Sequence, residues 1–158
     1  MTAYAARVAS PIGTLTALVD EAGALTRLLF AGDAPPPDAV WDEERCAPVV
    51  AELGEYFRGE RRDFGVPLAP RGTDFQRRVW DELRRIPRGE TRTYSDIARA
   101  IGAPAAVRAV GSACGANPVA LVVPCHRAVR TDGGLGGYAW GLQRKERLLE
   151  NEKKAKKQ

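Results

Sequence analysis

Near residue 70 the hydrophobic pattern of this chain changes, so a single uniform architecture cannot accommodate all 158 residues. Before that point, Tyr4 to Val8, Leu15 to Val19 and Leu25 to Phe30 read as short strands. The turn signals Ser10-Pro11-Ile12-Gly13 and Glu21-Ala22-Gly23 separate them. Residues 31–37 are rich in proline and turn formers and read as a loop. Val49, Val50, Leu53, Tyr56 and Phe57 then recur at helical spacing, and Gly59 ends that helix. Residues 1–70 are thus expected to form an α/β scaffold domain, a small antiparallel sheet with one helix and no chemistry of its own. Val66 to Gly72, with two prolines, reads as the linker into a mostly α-helical domain at 71–158, which ends in a basic tail at 153–158.

Thr73 or Asp74 can cap a helix running to about Arg85, with Phe75, Val79, Leu83 and Ile86 as its buried stripe. Pro87-Arg88-Gly89 stops it. Tyr94 to Ile101 predicts a short helix with Ile97, Ala98 and Ile101 inward, Gly102 turns the chain, and a second helix is expected from Pro104 to about Cys114. Two short helices about a glycine turn read as a helix-turn-helix, whose second helix faces DNA. Val107, Val110 and Cys114 should pack inward, leaving Ala105, Ala106, Ala109, Ser112 and Ala113 as a face of small side chains beside Arg108. Reading the major groove requires long polar side chains. A small face permits close approach to the minor groove, into which one arginine can insert. The expectation is sequence-independent minor-groove binding.

Charge supports that reading. Residues 1–70 hold six arginines against eleven acids, a net −5, whereas residues 71–158 hold eighteen Lys or Arg against nine acids, a net +9. Without the four lysines of the tail the second half is still +5, so its folded part suits a polyanion. No apolar run is long enough for a transmembrane helix and no secretory signal opens the chain, which points to a cytoplasmic protein with no membrane partner. Cys46, Cys114 and Cys125 are too few for a disulfide framework, and no zinc-ligand spacing occurs.

The only histidine, His126, directly follows Cys125 in Pro124-Cys125-His126-Arg127. A cysteine attacks through its thiolate and needs a cation, a base or a helix N-terminus to form it. Neighbouring residues on a regular strand point to opposite faces, so these two cooperate only if the backbone turns there or a water bridges them. Proline before the cysteine favours an irregular backbone. An imidazole base also needs an orienting acid, for which Glu146, Glu150 and Glu152 are available downstream. The run Gly133-Gly134-Leu135-Gly136-Gly137-Tyr138 can lie close against a flat ligand or form a mobile lid.

Pro124-Cys125-His126-Arg127-Ala128-Val129 is similar to the active-site motif of the O6-alkylguanine-DNA alkyltransferases. The resemblance covers about Thr73 to Glu152, through Phe75-Gln76-x-x-Val79-Trp80, Gly89-Glu90-Thr91, Tyr94-Ser95-x-x-Ala98, Arg108-Ala109-Val110-Gly111, Asn117-Pro118, Gly137-Tyr138 and Arg144-Lys145-Glu146-x-Leu148-Leu149. It looks closest to the C-terminal half of the bacterial adaptive-response protein and its free-standing relatives. Residues 1–70 resemble the variable N-terminal domain only loosely, through Pro11-Ile12-Gly13 and Leu53-x-x-Tyr56-Phe57.

The resemblance implies DNA repair by irreversible, single-turnover transfer of an alkyl group, chiefly methyl, from O6-alkylguanine in duplex DNA to Cys125. It makes His126 the base acting through a bound water, Glu152 the carboxylate that orients it, and Tyr94 the donor to the departing guanine. Arg108 would fill the gap left by the flipped nucleotide, with Ala106, Ala109, Gly111, Tyr94 and Arg127 also toward DNA. Asn117 would bridge the helix-turn-helix to the active-site strand. Ala128 and Ala139 would read the guanine edge through their backbones, with Tyr138 and Trp140 completing the pocket. No cofactor is implied, and the partner is double-stranded DNA bound by a monomer. Vertebrate members carry zinc ligands in the N-terminal domain, where this chain has no histidine, so zinc is not expected. Trp140 stands where some members have glycine and is expected to narrow the rim, favouring methyl over benzyl adducts. The second reading, a DNA-binding or regulatory protein without transfer activity, does not need Cys125, and inactive relatives of that kind replace it.

Overall fold

Asp42 decides where the first helix begins. In the computed structural model, which describes residues 2–157 with side chains through Lys153, α1 spans Glu43–Phe57. That is six residues earlier than the apolar spacing suggests. The Asp42 carboxylate accepts from the Arg45 amide (3.0 Å), and Glu43 and Glu44 occupy the positive end of the helix dipole. Pro48 is exposed near this end and is accommodated inside the helix. The molecule divides into two compact units, Met1–Arg71 and Gly72–Gln158.

In the first unit, β1 (Tyr4–Val8), β2 (Leu15–Val19) and β3 (Leu25–Leu29) form an antiparallel meander. A two-residue strand, β4 (Val40–Trp41), adds to β1 in parallel, giving the order β3-β2-β1-β4. The sheet is therefore mixed rather than purely antiparallel: the loop after β3 carries the chain back beside β1 before α1 starts. α1 packs on β1 and β2 through Cys46, Val49, Leu53 and Tyr56. Full burial of each large apolar side chain contributes roughly 1.5–3 kcal/mol before entropy is counted. The expected linker is partly structured: the Leu25 amide donates to the Pro67 carbonyl (2.8 Å), and the Ala69 amide to that of Leu25 (2.9 Å).

In the second unit, α2 (Asp74–Leu83) opens with a capping box formed by Thr73 and Gln76. Its buried residues are Val79, Trp80 and Leu83, while Phe75 is only half-buried. β5 (Arg92–Thr93) leads directly into α3 (Tyr94–Ala100), capped by Thr93 and Asp96. α4 covers Val107–Gly115, three residues later than expected, because Pro104 and Ala105 sit in a turn closed by the Ala106 amide on the Ala103 carbonyl (2.9 Å). Ala113 is buried, not part of the open small face, because its carbonyl accepts the Trp80 indole N–H (2.9 Å) and ties α2 to α4. β6 (Ala128–Val129) pairs in parallel with β5, and α5 runs over Leu142–Lys157. The basic tail thus begins inside a helix; its side chains beyond Lys153 lie outside the described residues. Among the described residues, no helix is long and apolar enough to cross a membrane.

Candidate active site and nucleic-acid interface

Asn117 sets the backbone that carries Cys125. Its amide nitrogen donates to the Val123 carbonyl (2.8 Å) and its amide oxygen accepts from the Val119 amide (3.0 Å), holding the segment after α4 closed. Within that segment Leu121 has φ 85°, a left-handed conformation that strains a branched side chain. At Pro124 (φ −82°, ψ 66°) the Cys125 amide turns back onto the Val123 carbonyl (2.8 Å), an inverse γ-turn. Cys125–Arg127 then form one 3-10 turn. The cysteine and histidine therefore lie on a turn and not on a strand, the geometry that lets neighbours in sequence act together.

His126 is fully buried, and its Nε2 lies 2.7 Å from Glu152 Oε2 on α5. A carboxylate only accepts, so Nε2 carries the proton and Nδ1 presents its lone pair. Nδ1 is buried and has no hydrogen-bond partner among the described residues. Burial holds His126 below the ordinary imidazole value despite the opposing pull of Glu152, which keeps it neutral and able to take a proton. Burial pushes Glu152 the other way, but His126 and Arg127 hold its carboxyl well below the usual range. Of the three acids available in the sequence, Glu146 and Glu150 are exposed and only Glu152 meets the imidazole.

Arg127 does not face DNA. It is 5% exposed, with Nε and Nη2 forking onto the two Glu152 oxygens (both 2.9 Å) and Nη1 on the Ile86 carbonyl (2.6 Å). A guanidinium in a bidentate pair with a buried carboxylate is committed to structure. The family resemblance was read as placing it toward DNA; the 3-10 turn directs it inward instead.

Cys125 lines a cavity of about 820 Å³ together with Tyr94, Gly111, Cys114, the segment Gly134–Ala139 and, at its edge, Arg130 and Leu142. Burial pushes the Cys125 thiol up to about 11, while a hydrogen bond from Asn117 and the charge of Lys145 pull it back. Tyr94, the first residue of α3, is likewise pushed up to about 12, by burial and then by the two thiols, so it stays a protonated donor. Gly136 (φ +75°) packs on this ring: a Cβ there would lie 2.8 Å from Tyr94 Cε2 and 2.9 Å from its hydroxyl. Only glycine fits.

Lys145 is the functional candidate that sequence reasoning missed. Its ammonium is fully buried and donates to the carbonyls of Ala128 (2.6 Å), Leu135 and Gly137 (3.2 Å), with the Tyr94 hydroxyl at 3.5 Å. One cation thus anchors the glycine-rich loop to the active-site strand and faces both thiols. The sequence signal was faint: a lysine one turn before Leu148 and Leu149 on an otherwise amphipathic helix.

Ala139 and Tyr138 line the cavity as expected; Ala128 does not. Ala128 is fully buried, and its carbonyl accepts from Lys145 (2.6 Å). Trp140 does not line the cavity either. Its ring packs edge-on against Tyr138 at 5.0 Å, so it backs the wall instead of forming the rim. The Trp140→Gly exchange should therefore loosen Tyr138 and speed reaction with O6-benzylguanine, by about tenfold or ~1.4 kcal/mol of barrier. An unchanged benzyl rate in a single-turnover assay would rule this out.

On α4, Arg108 and Ala109 are exposed and Ala106 and Gly111 half-buried, so the small surface with one projecting cation survives the shift of the helix start. Among the described residues no group of three or more His, Cys, Asp or Glu side chains is arranged to hold a metal ion.

Residues 74–154 match the family described as "6-O-methylguanine DNA methyltransferase, DNA binding domain", and residues 3–70 match its "ribonuclease-like domain". A methylated-DNA–protein-cysteine methyltransferase of Mycolicibacterium paratuberculosis is 49% identical over 150 residues, covering 93% of this chain and 90% of that protein. The protein of the same name from Methanosarcina acetivorans is 46% identical over 152 residues, covering 94% and 97%. The crystal structure of Mycobacterium tuberculosis OGT in complex with DNA superposes with a TM-score of 0.90 at 44% identity, covering 98% of this chain and 94% of that one.

Proposed function

The chain belongs to the 6-O-methylguanine DNA methyltransferase family, and we propose that Cys125 is the residue onto which it moves the methyl group. It repairs DNA by direct reversal, as a methylated-DNA–protein-cysteine methyltransferase. The observation that carries the assignment to Cys125 is the neighbouring imidazole. Its Nε2 is locked on Glu152 and its Nδ1 lone pair has no partner among the described residues, on the same turn as a thiol lining a cavity of about 820 Å³.

DNA binds along α4. The small residues Ala106, Ala109 and Gly111 let the helix approach a minor groove, and Arg108 enters the duplex as the damaged nucleotide rotates out. The flipped base enters the cavity, where the backbone of Ala139 meets its edge and Tyr138 flanks it. Cys125 loses its proton to a water, which passes it to His126 Nδ1; Glu152 stabilises the imidazolium that results. The thiolate attacks the methyl carbon in line, a C–S bond forms, and the C–O6 bond breaks. The electron pair stays on guanine, whose negative charge is met by the Tyr94 hydroxyl. Lys145 favours the thiolate and keeps the glycine-rich loop in place.

A thioether has no ready hydrolytic route back, so each molecule reacts once. With excess O6-methylguanine duplex, repaired bases should plateau at one per protein molecule; continued turnover would exclude a stable Cys125 adduct. The chain acts alone in this reading, needs no cofactor, and works in the cytoplasm, on the nucleoid when bound to DNA.

A further inference from the structure

Cys114 takes no part in the chemistry above, yet it shares the cavity with Cys125. It lies in the last turn of α4, 7% exposed; Cys125 opens the 3-10 turn, 3% exposed, and both are free thiols. The other α4 residues lining the cavity are Gly111 and Gly115, which place no side chain beside Cys114. Burial pushes the Cys114 thiol up to about 12; Cys125 adds to the rise, and Lys145 opposes it. The same lysine pulls on Cys125. Two free thiols that line one small-walled cavity are the parts of a redox pair.

We propose that Cys114 is a resolving thiol, which captures oxidised Cys125 as an intramolecular disulfide and spares it from irreversible oxidation. This rests on Cys125 being the methyl acceptor, since that gives the protection its value. The oxidant is a peroxide small enough to enter the cavity. The Cys125 thiolate attacks one peroxide oxygen, the O–O bond breaks, and a sulfenic acid and water result. The Cys114 thiolate then attacks the Cys125 sulfur; the S–O bond breaks, the S–S bond forms, and hydroxide leaves as water after taking a proton. Two thiols give up two electrons and two protons, and hydrogen peroxide becomes two waters. A dithiol reductant reverses the change, whereas sulfinic and sulfonic acids would persist.

The test uses the full chain with a several-fold molar excess of hydrogen peroxide and no reductant. The protein is then weighed, digested, and assayed for methyl uptake from O6-methylguanine duplex before and after dithiothreitol. The intact mass should fall by two hydrogens, a Cys114–Cys125 peptide pair should appear, and methyl uptake should vanish and return with dithiothreitol. In Cys114→Ala and Cys114→Ser, Cys125 should instead gain two or three oxygens and stay inactive, each variant's uptake before oxidation being its own reference. Oxygen gain in the parent without the peptide pair, or recovery in the variants as full as in the parent, overturns the proposal. Failure of the unoxidised parent to take up methyl would defeat the acceptor reading instead, and the peptide pair would still report on the disulfide. Cys46, buried in the other unit beneath the Tyr4 carbonyl, should remain unmodified.

Discussion

Replacing Glu152 with alanine is expected to cost about 3–5 kcal/mol of stability and to stop methyl transfer, because it strands a buried guanidinium. The Glu152 carboxylate accepts two bonds from Arg127 and faces His126, and all three side chains are buried. For a unit of this size such a loss shifts the melting temperature by roughly 4–8 °C per kcal/mol. Glu152→Gln keeps the shape and loses the charge, so it should lie between parent and alanine in stability while still transferring poorly. The sign with pH follows from the direction of the shift. The folded-state value of Glu152 lies well below 4.5, so its stabilisation is fully present above about 4.5 and is lost as pH falls toward the folded-state value. The gap in melting temperature between parent and Glu152→Gln should thus be flat from neutral to about pH 5 and shrink in stronger acid. A Glu152→Ala protein that melts with the parent, or still transfers at the parental rate, would break the link between this cluster and catalysis.

Lys145→Met should be nearly as damaging, for a different reason. The substitution removes the donor that holds the Leu135 carbonyl and one of those on the Gly137 and Ala128 carbonyls, and it removes the cation facing Cys125. Losing a preorganised charged donor costs on the order of 10²–10³ in rate. The thiol should also need higher pH to react. With iodoacetamide, the pH dependence of Cys125 alkylation should move upward in Lys145→Met, while Lys145→Arg, which keeps the charge, moves it less. An unshifted profile would mean that Lys145 only anchors the loop.

Much of the fold is local and therefore legible from sequence. The Tyr4–Val8, Leu15–Val19 and Leu25–Leu29 strands carry their turn residues beside them, and Thr73 caps α2 where the sequence places it. What was hidden depends on partners far along the chain. β4 exists because residues 40 and 41 return to β1, and Ala113 is buried because Trp80 reaches its carbonyl across 33 residues. The early start of α1 was masked by Pro48; the Asp42 cap and the burial of Cys46, Val49, Leu53 and Tyr56 hold the helix through it.

The site divides along the same line. Cys125, His126 and Tyr94 were singled out from residue type and motif, and Asn117 holds the segment before Cys125 through Val119 and Val123. Arg127 and Lys145 were misplaced or missed because an exposed basic residue and a buried one look identical in sequence; only their carboxylate and carbonyl partners tell them apart. Trp140 was placed at the rim by the family resemblance, and its ring packs against Tyr138.

The most direct measurement is the mass of the protein after incubation with one equivalent of O6-methylguanine duplex, followed by peptide mapping. A single methyl group on the peptide containing Cys125, absent when Cys125→Ala is treated in the same way, is the expected result. An unmodified chain, or a methyl group on Cys46 or Cys114 instead, would contradict the assignment of Cys125 as the acceptor.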